Sequence, residues 1–456
     1  MNLRLRWLLL SLALLLPFVL PARAQNAGAP TRPVAQSSNT QSSATVQSSA
    51  TAPAYSLPAD KLAKAVVLAR IRIALEVAGT LWGISFVWPL LTTGWAARFA
   101  GWLEQRIHRR WLQGLAFFAA YLLTSTLASL PLDVVGHAVG LHYGISVQSW
   151  LSWTGDQAKG LGLGLLFAPA LMLLFNWLVK VAPRFWWLGM WAVAMPLVLL
   201  AVFATPVFID PLFNKFEPLT EHHAALVSKL EAVVARTGNR IPPERMFLMK
   251  ASTKSNGINA YVTGLGASKR YVMWDTATDR LPDDEILFIF GHESGHYMLN
   301  HIPQQITTSA LGVLALLFAG ASFAGWLAKC KITAWQLASS DTTLAPLATR
   351  QGFLLVLLVL SLLSLILQPA TNAVSRHYEH EADVYGQEAI HGLVADPQKT
   401  AVSAFNHLGE AWLEDPAPSP LVEFWEYNHP SVQHRADFAA HYNPWAAGGH
   451  GRFFGQ

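Results

Sequence analysis

Six long stretches without a charged side chain decide what this chain can become. They cover residues 77–97, 111–132, 160–179, 185–209, 303–328 and 351–375. A bilayer core of about 30 Å needs about 20 apolar residues in a helix, and in hydrocarbon every backbone polar group must be satisfied within the segment. These stretches are therefore expected to be membrane helices, because six of them are too many for the buried core of a soluble protein. Hydrophobic residues make up 52% of the chain and charged ones 13%, against about 25% charged in soluble domains. The formal net charge of +4 is too mild to point to nucleic acid.

The remaining sequence divides around these spans. Arg4 and Arg6, the apolar run 7–20 and Ala22-Arg23-Ala24 read as a signal peptide over residues 1–24. Residues 25–57 are mostly Ala, Ser, Thr, Gln and Pro, with too little apolar surface to offset ordering entropy, and are expected to form a disordered tail. Four spans follow in 58–209, a polar region in 210–302, two more spans in 303–375 and a second polar segment in 376–456. Within the first polar region, 225–234 has a helical apolar face (Leu226, Leu230, Val233, Val234), and 261–263 with 271–274 reads as a strand pair. The single cysteine, Cys330, excludes an internal disulfide and any multi-cysteine metal site.

Asp283, Asp284 and Glu285 put negative charge at a helix start, and the helix continues into His292-Glu293-Ser294-Gly295-His296. Histidines four apart share a helix face and can reach one Zn²⁺. Glu293, beside the first of them, is suited to take a proton from an attacking water. A catalytic zinc site normally has a third protein ligand. The extended H-E-x-x-H-x-x-G-x-x-H pattern does not supply it, because Leu299 and Ile302 occupy the glycine and third-histidine positions. The segment after the last span, Ser375-Arg-His-Tyr-Glu-His-Glu-Ala-Asp383, offers Glu379, with His377, His380 and Glu381 as competitors. Asp383, four residues after Glu379, suits a carboxylate that orients a ligand histidine.

At this point the chain resembles the integral-membrane CAAX prenyl proteases, zinc metalloproteases with a gluzincin ligand set. The resemblance is carried by Pro211-Leu-Phe-Asn-Lys-Phe-Glu-Pro-Leu219, Ser255-Asn-Gly-Ile-Asn-Ala-Tyr261 and Lys269-Arg-Tyr-Val-Met-Trp-Asp275, together with His292–His296, Ser375–Asp383 and His429-Pro-Ser-Val-Gln-His-Arg435. It implies a mainly α fold: a polytopic helical bundle with an inserted α+β zincin-like domain. It further implies Glu379 as the third zinc ligand and Asp383 beside it. His429 and Arg435 would face the cleft, and Asn259, Ala260 and Tyr261 would lie on an edge strand that binds substrate backbone. Two departures stand out: Ser431 where the family has a second proline, and Gly386 where it has alanine.

The expected activity is zinc-dependent peptide hydrolysis, on membrane-associated or lipidated polypeptides or, as the alternative, on misfolded membrane and exported proteins. A transporter or scaffold with a structural metal is the rival from another class. It would leave Glu293 without a purpose. A cleaved signal puts the site on the outer, periplasmic face of a bacterial inner membrane. Four crossings precede His292 and two more precede Glu379, so the ligands share a side. Arg98, Arg106, Arg109, Arg110, Lys180, Arg184, Lys329, Lys331 and Arg350 fall in the opposite, cytoplasmic loops. Lys61, Lys64, Arg70 and Arg72 argue against this orientation, and the family resemblance alone implies a cytosolic site.

Overall fold

A computed structural model describes residues 53–264, 266–335, 337 and 346–455. The expected signal peptide and the tail up to residue 52 lie outside the described residues. Six helices among these are long and apolar enough to span a membrane: Ala59–Thr92, Arg110–His142, Trp150–Val181, Trp186–Phe213, His301–Lys331 and Arg350–Ala389. They correspond to the six uncharged stretches but overrun them. The first helix starts 18 residues before its apolar stretch, at Ala59 rather than at position 77. That basic extension is tied to the C-terminal segment: Lys61 pairs with Glu410, and the Arg72 guanidinium donates to the Trp412 carbonyl at 3.1 Å. Residues at the end of the expected disordered tail are also held. Tyr55 is 1% exposed, and its hydroxyl donates to the Glu414 carbonyl at 3.1 Å.

The membrane helices pack through a buried apolar cluster in which Phe353 lies 5.3 Å from Phe118 and 5.1 Å from Phe175, ring to ring. Proline occurs inside several spans, including Pro131, Pro169 and Pro369. Neighbouring helices can re-satisfy the freed carbonyls there.

A second core belongs to the polar regions. A four-stranded sheet has the order β1-β2-β4-β3, with β1 Phe216–Pro218, β2 Met246–Met249, β3 Ala260–Thr263 and β4 Arg270–Trp274. β2 and β4 are parallel, and β3 runs antiparallel to β4 with Tyr261 opposite Val272, so β3 is an edge. Helix Asp283–Met298 packs on this sheet and buries Phe288 and Phe290. The amphipathic helix Ala224–Thr237 covers the same core with Leu226, Leu230 and Val233.

Two junctions connect this core to the bundle. Asn300 adopts a left-handed conformation (φ 58°) and separates helix Asp283–Met298 from the fifth span. The sixth span has no such break. Its 40 residues, capped at the start by the Thr349 hydroxyl, would extend about 60 Å at 1.5 Å per residue. That is about twice the hydrocarbon thickness, so the final turns project out of the bilayer and into the polar core.

Candidate active site

Helix Asp283–Met298 and the projecting end of the sixth span cross at two glycines. A Cβ on Gly386 would stand 2.8 Å from the His292 backbone nitrogen, and one on Gly291 would stand 3.1 Å from the Gly386 carbonyl oxygen. The absence of both side chains lets the backbones approach and brings three side chains from the two helices together. His292 Nε2 lies 3.2 Å from His296 Nε2 and 3.4 Å from Glu379 Oε2, and His296 Nε2 is 3.4 Å from Glu379 Oε1. One ligand atom from each lies within 4.8 Å of the others, the one such group among the described residues.

The donor set fits a cation. Glu379 Oε2 is buried without a hydrogen-bond partner. Burial alone would push the His292 imidazole down, yet Asp383 and Glu379 outweigh it and raise it to about 10. The pocket therefore draws positive charge to this point. Two imidazoles and a carboxylate are the donor types of a catalytic zinc site, which leaves a further position open.

The other expected residues surround this group. Asp383 Oδ1 is 2.9 Å from His292 Nδ1, the ring atom facing away from the cluster. Arg435 grips Asp383 with two bonds, Nε to Oδ2 at 2.9 Å and a terminal nitrogen to Oδ1 at 2.5 Å, and comes within 3.7 Å of Glu379. His429 Nε2 lies 3.3 Å from Glu379 Oε1. Burial, reinforced by Arg435 and the two histidines, pushes His429 down to about 4 against the pull of Glu379, so the ring is neutral near pH 7. The Glu293 carboxylate accepts from the Val262 backbone N–H of β3 at 3.2 Å. Burial raises its pKa, although His292 and His296 pull the other way. Asn259, Ala260 and Tyr261 line, with the ligand group, a cavity of about 760 Å³ that runs down between the membrane helices.

The competing ligands of the sixth-span segment point elsewhere. His380 packs its ring 4.6 Å from Phe438, while His377 and Glu381 pair with each other at 3.7 Å. Sequence reasoning missed the Val262 N–H, a backbone group that no side-chain pattern reveals. It also missed the buried amine of Lys269, which donates to Asn239 Oδ1 while Asn239 Nδ2 donates to Ser294 Oγ at 2.9 Å. A lysine flanking a strand gave no sign that it reaches beneath the histidine helix.

Comparison with known proteins identifies the family. Residues 42–215 match the N-terminal region of CAAX prenyl proteases, described as five membrane helices, and residues 221–442 match peptidase family M48. An uncharacterized metalloprotease of Bacillus subtilis, YhfN, is 36% identical over 358 residues, covering 78% of this chain and 80% of that protein. CAAX prenyl protease 1 of Saccharomyces cerevisiae is 28% identical over 349 residues, 71% of each. The crystal structure of S. mikatae Ste24p has the same fold, with a TM-score of 0.70 at 23% identity over 83% of this chain and 88% of that one. The chain belongs to peptidase family M48 and is a multi-pass membrane metalloprotease.

Proposed function

We propose that this protein is an endopeptidase that holds one Zn²⁺ per chain with His292, His296 and Glu379 and uses Glu293 as its general base. The observation that carries this reading is the convergence of three ligand atoms at the top of a cavity that Glu293 also lines. When bound, zinc supplies Lewis acidity, lowering the pKa of water toward about 7 and polarising the scissile carbonyl. Glu293 takes the proton of the attacking water and later delivers it to the leaving amine. A carboxylate raised by burial is better matched to both transfers than an exposed one. Asp383, itself held by Arg435, keeps the His292 ring oriented. His429 Nε2 lies beside the ligand carboxylate, and the ring is anchored through Nδ1 to the Asn428 side-chain oxygen at 2.9 Å. The free edge of β3, with Asn259, Ala260 and Tyr261, receives the substrate backbone as an added strand.

The substrates in this reading are polypeptides presented at or in the membrane, and the cavity between the spans suits a membrane-associated or lipidated segment. We assign the protein to a bacterial inner membrane with the site facing the periplasm. Tyr55, Lys61 and Arg72 all bind the C-terminal segment, so the chain that follows the expected signal peptide shares a side with the site. These contacts also match two of the four basic residues that argued against this orientation, Lys61 and Arg72, to protein partners. An outward site favours misfolded membrane or exported proteins as the substrate pool over cytosolic prenylated tails. Glu293→Gln tests the chemistry: zinc content should stay at the wild-type level while chelator-sensitive peptide cleavage is lost. Cleavage that survives this substitution would sink the general-base assignment.

A further inference from the structure

His296 has a supporting side chain that neither the H-E-x-x-H pattern nor the spans mark. Its Nε2 faces His292 and Glu379, so Nδ1 is the atom through which the protein can orient the ring. That atom lies 3.2 Å from Nδ1 of His301, and His301 Nε2 lies 3.3 Å from Glu381 Oε2. The His301 side chain is 1% exposed, and its ring packs 4.7 Å from that of Tyr378, the neighbour of Glu379. On an unbroken helix, residues five apart would project roughly 140° from each other. The left-handed turn at Asn300 breaks the helix and brings His301 back against His296.

Two facing Nδ1 atoms can share only one proton, and Glu381 decides which ring supplies it. A carboxylate only accepts, so it draws the His301 proton onto Nε2. His301 Nδ1 then carries a lone pair, and His296 must donate from Nδ1. Its Nε2 is left with a lone pair, the form a metal ligand requires. The opposite pair of tautomers would set a lone pair against the carboxylate and protonate the very atom that faces the metal position. Arg452, from the C-terminal tail, binds Glu381 Oε1, while Oε2 faces His301 at 3.3 Å and, further off, the exposed His377 at 3.7 Å. The two histidines are thus served by different devices, His292 by Asp383 directly and His296 through an intervening imidazole.

We propose that His301 and Glu381 are positioning residues that fix the tautomer and orientation of His296 toward the metal, with Arg452 steadying Glu381. This rests on the zinc reading above. The test uses the purified full-length protein, with zinc affinity measured by chelator competition and the visible spectrum of the Co²⁺-substituted form as a report on coordination. Melting of the metal-stripped protein is the folding control. His301→Leu keeps apolar bulk and removes both ring nitrogens, and should weaken zinc about 10–100-fold and alter the Co²⁺ spectrum. His301→Gln, offering an amide oxygen to His296 and an amide N–H to Glu381, should restore most of the loss. Wild-type affinity in His301→Leu, or equal losses in the Leu and Gln variants, would overturn the relay. Should His301→Leu not fold, Glu381→Leu, which removes the partly exposed carboxylate that accepts from His301, should still weaken zinc, and unchanged affinity there overturns the relay as well. A wild-type protein that binds no zinc would overturn the metalloprotease reading together with this inference. Zinc binding indifferent to these variants overturns the relay alone.

Discussion

Replacing Gly386 by alanine tests whether the crossing of two helices sets the metal geometry. The new Cβ would lie 2.8 Å from the His292 nitrogen, 3.0 Å from its Cα and 3.1 Å from the Phe288 carbonyl oxygen. All three are backbone atoms, so no side chain can swing aside. Ordinary contact begins near 3.5 Å, and the helices would have to part by roughly 0.7 Å. Overpacking of this kind costs about 1–3 kcal/mol. Alanine recovers about 1 kcal/mol of helix propensity over glycine, so the fold should survive with a modestly lowered melting temperature. The metal site tolerates less, since ligand distances must hold to about ±0.2 Å. His292 lies on one of the parted helices and Glu379 on the other. Zinc affinity should therefore fall by about 10–100-fold, the order seen when ligand support is lost. Chelator competition on the purified protein reads this directly. A Gly386→Ala protein that binds zinc as tightly as the wild type would refute the argument.

Lys269 gives a stability prediction with a sign. Burial pushes its amine down to about 7 from 10.5, so between those values the unfolded chain holds more protons than the folded one. Stability should therefore rise with pH across that window, by up to about 1.4 kcal/mol per unit from this group. Lys269→Met should flatten the rise; melting at about pH 7 and about pH 9.5 that responds to pH as the wild type does would contradict it. Orientation can be read with the native cysteine as its own control. Cys330 is exposed near the end of the fifth span, which starts at His301 beside the site. In intact cells an impermeant maleimide should label Ala417→Cys and leave Cys330 untouched, and the reverse pattern would put the site in the cytoplasm.

The spans and the histidine pair were legible because each obeys a local rule. A run of uncharged residues has few alternatives to a membrane helix, and a four-residue spacing is a statement about one helix face. Glu379 was less legible, since its competitors His380 and Glu381 differ from it only by rotation about the helix axis. That rotation is set by the contact at Gly386, which is tertiary. His301 escaped notice for a related reason. Five residues after His296 it belongs to another helix face, and only the turn at Asn300, where an asparagine tolerates a positive φ, returns it to the metal group. The docking of segment 53–57 does not show in its composition, because it rests on the buried Tyr55 ring and on hydrogen bonds of the Ala54 backbone to Asp437 and Asn406. Gly409 opposite makes room for that ring: a Cβ there would collide with the Tyr55 ring at 2.6 Å.

The candidate metal group is joined to the bundle without a flexible linker. Glu379 and Asp383 lie on the same unbroken helix as Phe353, which packs against Phe118 and Phe175 in the apolar cluster of the membrane helices. Only Leu299 and Asn300 separate the helix of His296 from the fifth span, which begins at His301. A rotation or slide of either span would therefore reach the ligands as rigid displacement, with little loop to absorb it. The same two spans line the cavity below the metal group, through Gln305, Ser309 and Gly312 on one and Ser361, Ser364 and Gln368 on the other. Polar and small side chains at these depths are tolerated where they face a cavity rather than lipid. A polypeptide entering between the spans would thus press on the elements that hold Glu379 and His296. On the proposed function, occupancy of the cavity would therefore bear directly on the spacing of His296 and Glu379.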